Sequence, residues 1–193
     1  MPTLSKSVHS IAAIFLLFGI CANSWAAPKV TIFYYNEEWK PTVKLDRLNS
    51  LSDGLKAILA MYALQNSAGC EGGNNNISCA LTDALELGGQ CSEKHISLVR
   101  TWFKGSLPKM GRYMDWAYDV QKPGQMEAVC YMQPDTSTFQ DKWDKIQVTQ
   151  DGNHVFIDAH GTSLSHEDST SFKFSTEYEI LDHSIRVISH RSK

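Results

Sequence analysis

Four cysteines in the body of the chain carry the side chains best suited to covalent or metal chemistry. They are separated by nine, twelve and thirty-nine positions, whereas zinc sites favour closely spaced pairs. An even number of cysteines in an exported chain predicts disulfides instead. No metal site and no cofactor are therefore predicted, and the disulfide candidates are Cys70, Cys79, Cys91 and Cys130.

The segment between the first two of these cysteines reads CEGGNNNISC and is rich in glycine and asparagine, so it can fold back on itself. This favours pairing Cys70 with Cys79 and Cys91 with Cys130, and the two other pairings remain open. Closing a loop of this length stabilises a fold by roughly 2–3 kcal/mol in the chain-entropy model. Four thiols in an oxidising compartment indicate two bridges rather than a nucleophile with its base.

Histidines recur every six residues at His154, His160 and His166, followed by Glu167 and Asp168. Metal binding is the most specific functional interpretation of this spacing. The residues best able to converge on one ion are His160, His166 and Asp168. However, six residues of strand span about 20 Å, so His154 and His160 cannot share an ion. Because His166 falls in a predicted loop, the spacing favours no metal site.

Other catalytic patterns are missing from the sequence. The stretch HGTSLSH contains serine and histidine without a nucleophile elbow. The pairs Glu37-Glu38 and Glu167-Asp168 are chain neighbours, not carboxylates facing across a cleft. Neither LGG nor AGCEGG has the glycine spacing of a phosphate loop. An aromatic and methionine cluster can line a pocket, but core packing is the favoured interpretation for Trp102, Met110, Tyr113, Met114, Trp116 and Tyr118.

The first residues have the three-part pattern of a secretory signal peptide: Lys6, the apolar run IAAIFLLFGICA and a small-residue stretch. The apolar run is too short to span a bilayer. Cleavage between Ala26 and Ala27 makes residues 1–26 the signal peptide and residues 27–193 a single α+β domain, and removes Cys21. The sequence thus predicts a secreted or periplasmic protein with no transmembrane segment after cleavage, and an uncleaved anchor is the alternative.

The charge pattern bears on partners. The chain has 193 residues and a formal net charge of −3, with acidic and basic residues interspersed. Such a balance does not recruit nucleic acid, so no nucleic-acid partner is predicted. The mature length suits one domain with a sizeable core.

The first half of the mature chain has a strand followed by helical patterns. A strand is predicted over Val30–Tyr35, which is β-branched and aromatic. A helix of about four turns is predicted within 49–68, with Ser52 or Asp53 as its N-cap. Further helices are predicted over 78–87, ended by a left-handed glycine at Gly88-Gly89; over 92–104, capped by Ser92; and, shorter, over 110–117.

From Trp143 onward, apolar and polar residues alternate. Asp151-Gly152 is a strong hairpin signal, and as a two-residue loop it pairs Val148 with Val155 and Ile146 with Ile157. Turns near 163–169 and 181–184 then give three hairpins, pairing Val155 with Tyr178, Ile157 with Thr176, Ala159 with Phe174, Ile180 with Ile185 and Tyr178 with Val187. One face collects Ile146, Val148, Val155, Ile157, Ala159, Phe172, Phe174, Tyr178, Ile180, Ile185 and Val187.

The opposite face of these strands is polar, as in antiparallel sheets with one solvated side. Ion pairs across strands are expected between Lys145 and Asp158 and between Glu179 and Arg186. The predicted members of this face are Lys145, His154, Phe156, Asp158, His160, Lys173, Glu177, Glu179, Arg186 and His190.

Together the elements predict an α+β fold in which an N-terminal strand and three to four helices pack on a C-terminal four-stranded antiparallel meander. This element order is similar to the cone-shaped folds of the nuclear-transport-factor-2-like superfamily. The resemblance implies a cavity between the helices and a curved sheet. That superfamily contains both enzymes and binding modules, so the resemblance does not decide function.

The sequence favours a small exported protein that binds a protein partner or a small apolar ligand without turnover. An inhibitor or immunity-type role against an envelope-active enzyme belongs to this class. The alternative is a hydrolase or isomerase with its site in the helix–sheet cavity, and an envelope structural component is a third possibility. No individual catalytic or binding residue is assigned from the sequence.

Overall fold

A computed structural model describes residues 27–64, 77–105, 107–108, 121–122, 139–165 and 168–193. The predicted signal peptide and the predicted helix over 110–117 lie outside these residues. The strands are β1 (Val30–Tyr35), β2 (Pro41–Val43), β3 (Phe139–Asp151), β4 (His154–Ser165), β5 (Ser169–Leu181) and β6 (Ser184–Ser192). The helices are a 3-10 turn (Leu45–Arg47), α1 (Asp53–Leu64), α2 (Ile77–Ala84) and α3 (Glu93–Trp102).

Three α-helices of the described chain pack against one antiparallel sheet of six strands, so the fold class is α+β as predicted. The strand order is β2-β1-β3-β4-β5-β6. The sheet of the described residues has six strands rather than the four of the predicted meander, because β1 pairs with β3 and brings β2 with it. Neither the four-stranded meander nor the cone-shaped layout is confirmed. Pairing of β1 with a strand more than a hundred residues away leaves no trace in local periodicity.

The β3–β4 hairpin differs from its predicted register by two residues. Its loop is Gly152-Asn153, and Val148 faces Ile157 while Ile146 faces Ala159. Gly152 has φ 58° at the first loop position, where a type II′ turn requires glycine. A shift of two residues keeps every side chain on its predicted face, because side chains alternate with period two.

The β4–β5 hairpin has the predicted register, and the β5–β6 hairpin has it from the turn as far as Tyr178. Between β4 and β5, Val155 faces Tyr178 and Ala159 faces Phe174, with Ile157 opposite Thr176. Between β5 and β6, Ile180 faces Ile185 and Tyr178 faces Val187. The strand pairings predicted on either side of the two turns are therefore confirmed, and residues 166–167 of the first turn lie outside the described residues.

The core lies between the inner face of the sheet and the helices. Every residue predicted for the inner face is buried except Ile180 and Val187, which are partly buried and pack against the core. Sequence alternation did not single out Trp143, although its side chain is fully buried. Helix α1 lies over this surface, with every residue from Leu55 to Leu64 except Lys56 buried.

The helix N-termini were predicted well. Helix α1 begins at Asp53, and Ser52, one of the two predicted N-cap residues, accepts a hydrogen bond through its Oγ from Leu55 N at 3.3 Å. Ser92 caps α3 by accepting from His95 N at 3.1 Å. Hydroxyl oxygens in these positions satisfy backbone donors that the first turn leaves unpaired.

The end of α2 was predicted wrongly. The helix ends at Ala84, and Glu86, with φ 55°, takes the left-handed position expected for glycine. Leu87 N donates to Thr82 O at 2.9 Å and Glu86 N donates to Asp83 O at 3.0 Å, which together form a Schellman motif. Leu85 and Leu87 are buried on either side, so packing of these leucines outweighs the backbone preference at Glu86.

The two edges of the sheet are short or partly covered. Strand β2 has three residues and begins with Pro41. At the other edge, Phe103 forms an isolated parallel bridge to Ile185 of β6. No helix among the described residues is long and apolar enough to cross a membrane.

Candidate functional site

The cysteines are only partly covered by the described residues. Cys79 lies in α2, and Cys91 lies in the turn before α3 with φ 58°. Neither of them is free. Because Cys70 and Cys130 lie outside the described residues, both the predicted pairing and its alternatives stay predictions.

The residues of the alternative metal site are not brought together within the described chain. His160 lies on the outer face of β4, Asp168 precedes β5, and His166 lies outside the described residues. The described residues contain no group of three histidine, cysteine, aspartate or glutamate side chains that could hold a metal ion. Lys145 and Lys173 flank His160 on the adjacent strands, and their charges would repel a cation.

A chain of polar side chains crosses the core from α1 to β6. The hydroxyls of Tyr62 and Tyr178 lie 3.1 Å apart, and Thr176 hydrogen-bonds to both. Burial raises the pKa of Tyr62 to about 12 and that of Tyr178 well above 10. Thr176 Oγ1 lies 2.8 Å from His190 Nδ1, which continues the chain to the last strand. Both tyrosines are thus held neutral and bonded to one another at neutral pH.

His190 was assigned to the outer face, and this was wrong. The register between β5 and β6 shifts between Tyr178 and Glu177, so Val187 faces Tyr178 while Ser189 faces Glu177. The extra residue, Ile188, turns His190 toward the core side, where its ring stacks on Phe174 at 5.2 Å between centroids. A bulge of this kind reverses the alternation that the sequence pattern assumes.

His95 is the fully buried histidine of the helical layer. Its Nδ1 accepts from Cys91 N at 3.1 Å, so its Nε2 carries the proton and donates to Ala60 O at 2.8 Å. Burial lowers the pKa of His95 below 6.5, although the hydrogen bond to Ala60 acts in the opposite direction. A neutral ring with both nitrogens bonded ties α3 to α1, which is a structural role.

The outer face of the sheet is charged and open. Arg186 Nε donates to Glu179 Oε2 at 2.9 Å, as predicted for that cross-strand pair. The predicted pair of Lys145 with Asp158 is wrong, because Lys145 faces His160. Asp158 instead forms an ion pair with Lys29, lies 4.0 Å from Lys173 Nζ and accepts from Ser175 Oγ at 2.5 Å.

Lysines surround His160 on this face. In register, Lys145 of β3 and Lys173 of β5 lie on either side of it. Partial burial lowers the pKa of His160, and the charges of Lys173, Lys145 and Lys29 lower it further. Burial alone would raise the pKa of Asp158, but hydrogen bonds and charge from Lys29, Ser175 and Lys173 bring it below its ordinary value. The local potential around His160 is therefore positive.

The turn between β1 and β2 displays the most exposed large apolar side chain of the described residues. Trp39 is 73 % exposed, compared with 41 % for Phe156 and 43 % for Ile188. Asn36 N donates to Lys40 O at 3.0 Å, and Trp39 N donates to Asn36 O at 2.9 Å. Asn36 Oδ1 also accepts from Glu38 N at 3.0 Å and from Lys40 N at 2.9 Å. Four hydrogen bonds therefore fix the backbone below the indole.

Trp39 has φ 58° in this turn. A three-residue hairpin loop built on a type I turn places its last residue in the left-handed region, where glycine is preferred. A bulky side chain in that conformation costs about 1–2 kcal/mol. The local backbone thus does not account for a tryptophan here.

Sequence reasoning missed the Trp39 turn, although signals for it were present. Asn36 and Pro41 are turn and strand-edge residues on either side of Glu37, Glu38 and Trp39. The pair Glu37-Glu38 lies at the tip of this hairpin, whereas the sequence pattern draws attention only to its two carboxylates. The strand β2, which completes the hairpin, has three residues and gives no periodic signal.

An open groove of about 540 Å³ runs along the outer side of α3. Its lining has one apolar side chain, Ile96, among the polar residues Glu93, Ser97, Arg100 and Thr101. Such a lining does not suit a small apolar ligand.

Comparison with known proteins gives no relative on which to base an assignment: no family model, no curated protein and no solved structure matches this chain.

Proposed function

We propose that this chain is an exported, non-catalytic binding protein that docks a protein partner through the Trp39 turn. The observation that carries the proposal is a tryptophan 73 % exposed on a turn position that favours glycine. Backbone strain kept at an exposed site is a signature of function rather than of stability.

Tryptophan is the residue most enriched at the centres of protein interfaces, because its ring buries a large area with few rotatable bonds. The turn holds it rigidly through Asn36, so little conformational entropy is lost on docking. These properties favour an anchor that inserts into a preformed pocket.

The chemistry of the partner pocket follows from the residues beside the indole. Glu37 and Glu38 are both exposed, and Lys40 Nζ lies 2.6 Å from Glu38 Oε2. Glu37 has no cation within ion-pair distance among the described residues. An apolar pocket with a basic rim would complement this tip. An inhibitor or immunity-type protein would use such an anchor against an envelope enzyme.

Export and the disulfides belong to the same proposal. A signal peptide over residues 1–26 and a periplasmic or secreted location are supported by the charge, apolar run and small residues of that segment. Two disulfides among the four remaining cysteines follow from export. A thiol reagent applied to the native exported protein should detect no free cysteine, and one reactive thiol per chain would overturn this part.

Site-specific photo-crosslinking tests the docking proposal. In the producing cell, a photoreactive phenylalanine analogue is incorporated in place of Trp39. In a matched control, the same analogue is incorporated in place of Leu181. Leu181 is 40 % exposed and lies at the opposite end of the sheet, since the β5–β6 turn and the β1–β2 turn point in opposite directions. We expect one protein adduct from position 39 and none from position 181.

The variant Trp39→Gly separates binding from folding. Its free energy of unfolding should stay level or rise, because glycine adopts the left-handed conformation without penalty. Its affinity for the crosslinked partner should fall about 30-fold or more, as for an interface hot spot. Equal adducts at both positions, or unchanged affinity in Trp39→Gly, would refute the proposal.

A further inference from the structure

We infer that the outer face of the sheet contains a binding site for a dianionic tetrahedral oxyanion, phosphate or sulfate, formed by Lys145, His160 and Lys173 with Lys29 beside them. The four residues are called the lysine cluster below. The site is separate from the Trp39 turn and does not depend on the docking proposal.

Sheet geometry places these side chains together. Lys145 faces His160 across β3 and β4, and His160 faces Lys173 across β4 and β5. Adjacent strands are about 4.8 Å apart, so the two lysines flank the imidazole within about 10 Å. His160 points outward because Ala159 and Gly161 on either side of it are buried. The three side chains therefore form one row across the middle of the sheet.

Asp158 positions the ammonium groups instead of neutralising all of them. It binds Lys29, and its Oδ1 lies 4.0 Å from Lys173 Nζ. Ser175 Oγ donates to the same carboxylate at 2.5 Å, which limits its freedom to move. Lys145 has no ion-pair partner among the described residues. Lys29 and Lys173 thus share the carboxylate of Asp158, while Lys145 lies beside His160 without such a partner in the described chain, whose full sequence has a formal net charge of −3.

The positive potential of the lysine cluster affects the pKa of His160. Partial burial and the charges of Lys173, Lys145 and Lys29 hold the pKa of His160 down, and the charge of Asp158 acts in the opposite direction. A bound dianion would offset those charges and accept a hydrogen bond from the ring. Two ammonium groups and an imidazole match the charge and the several oxygens of phosphate or sulfate better than a single carboxylate.

NMR titration of the histidine rings tests the site. The purified protein is titrated with pH in sodium phosphate, in sodium sulfate, in glycerol 3-phosphate and in sodium chloride, all at equal ionic strength. We expect the pKa of His160 to be higher in the oxyanions than in chloride, because a nearby anion favours the charged ring. The glycerol 3-phosphate arm tells whether an esterified phosphate is accepted as well as the free ion.

His154 is the internal control. It lies on the same strand and the same face, six residues from His160, with its Nδ1 3.1 Å from Glu177 Oε1. We expect no difference between the four salts in the NMR signals of this ring. Equal shifts of both histidines would show general charge screening, and would overturn the site.

Two variants sharpen the result. Lys145→Gln and Lys173→Gln should each weaken phosphate or sulfate binding about tenfold, the usual effect of losing one charge-assisted hydrogen bond. Lys56→Gln is the matched control, since Lys56 lies on α1, 3.7 Å from Asp53. No shift at His160, or equal binding by wild type and both cluster variants, would refute the inference. These results do not depend on Trp39, so this site and the docking proposal can fail separately.

Discussion

The two faces of the same strands lie in opposite environments and use polar groups in different ways. On the inner face, Tyr62, Tyr178 and Thr176 bond to one another inside an aromatic core. On the outer face, Lys145, His160 and Lys173 lie side by side on adjacent strands, and Lys29 and Lys173 lie near the carboxylate of Asp158. The polar groups of the inner face form hydrogen bonds within the fold, whereas those of the outer face are positioned to bind a ligand from solvent.

This difference indicates where stability and function reside. Substitutions on the inner face should change the free energy of unfolding and leave binding surfaces intact. Substitutions on the outer face and in the Trp39 turn should do the reverse.

The largest expected effect is that of Trp143→Ala. Trp143 is fully buried, its ring lies 5.6 Å from that of Tyr62 and 5.5 Å from that of Phe172, and its Nε1 donates to Tyr62 O at 3.3 Å. Its loss should lower the free energy of unfolding by about 3–5 kcal/mol. Chemical denaturation measures this. Phe156→Ala on the outer face is the control and should cost less than about 1 kcal/mol; equal costs would contradict the contrast between faces.

Gly161→Ala should have the next largest effect. A Cβ at this position would lie 2.6 Å from Lys142 O and would also collide with the Phe172 ring. Relieving both contacts should cost about 1–3 kcal/mol, as for overpacking in a core. Gly105→Ala, where a Cβ meets nothing within 4 Å, is the matched control. A melting temperature of Gly161→Ala equal to that of wild type would show that the strands can shift enough to accommodate the added methyl group.

Low pH should lower the free energy of unfolding through protonation of the buried His95. Burial lowers its pKa in the folded protein below the ordinary 6.5, so the unfolded chain takes up the proton first. The stability that His95 contributes is complete above pH 6.5 and is lost as pH falls through the lower, folded-state pKa. The slope from one such group is at most about 1.4 kcal/mol per pH unit.

The measurement is the unfolding free energy from pH 8 to pH 4.5 for wild type and for His95→Gln. The stability of the glutamine variant should depend less steeply on pH, because the variant lacks the buried group whose protonation opposes folding. Parallel curves would show that His95 does not couple folding to protonation.

The smallest of these effects is expected for Tyr178→Phe. It removes one hydroxyl of the pair 3.1 Å apart and leaves Thr176 as a partner for Tyr62. A loss of about 1 kcal/mol should result. The double variant with Tyr62→Phe should cost less than the two single changes together, since both remove the same bond. Strict additivity would mean that the two hydroxyls act independently.

The inner face could be predicted from sequence because period-two alternation survives errors of two residues in register. The β3–β4 loop was misplaced by one residue at each end, yet Val148 and Ile157 remained inside. The fold class followed for the same reason. His190 could not be placed, because the bulge at Ile188 depends on contacts between strands rather than on alternation.

The candidate sites were harder to predict than the core. The clustering of Lys29 with Lys173 depends on the position of β1 beside β3, which joins residues far apart in the chain. The exposure and left-handed backbone of Trp39 depend on a three-residue strand without periodic pattern. The positions of these surface residues depend on which strands pair in the folded protein. The local sequence pattern around them indicates those positions only weakly.

The short β2 strand and the bridge from Phe103 to Ile185 have a consequence for crowding. Free strand edges invite other chains to add to a sheet, which is a route to aggregation. Here one edge has three residues and starts with a proline, and the other is partly occupied by the chain after α3. Both features therefore reduce the number of free backbone groups to which another copy of this protein could add a strand.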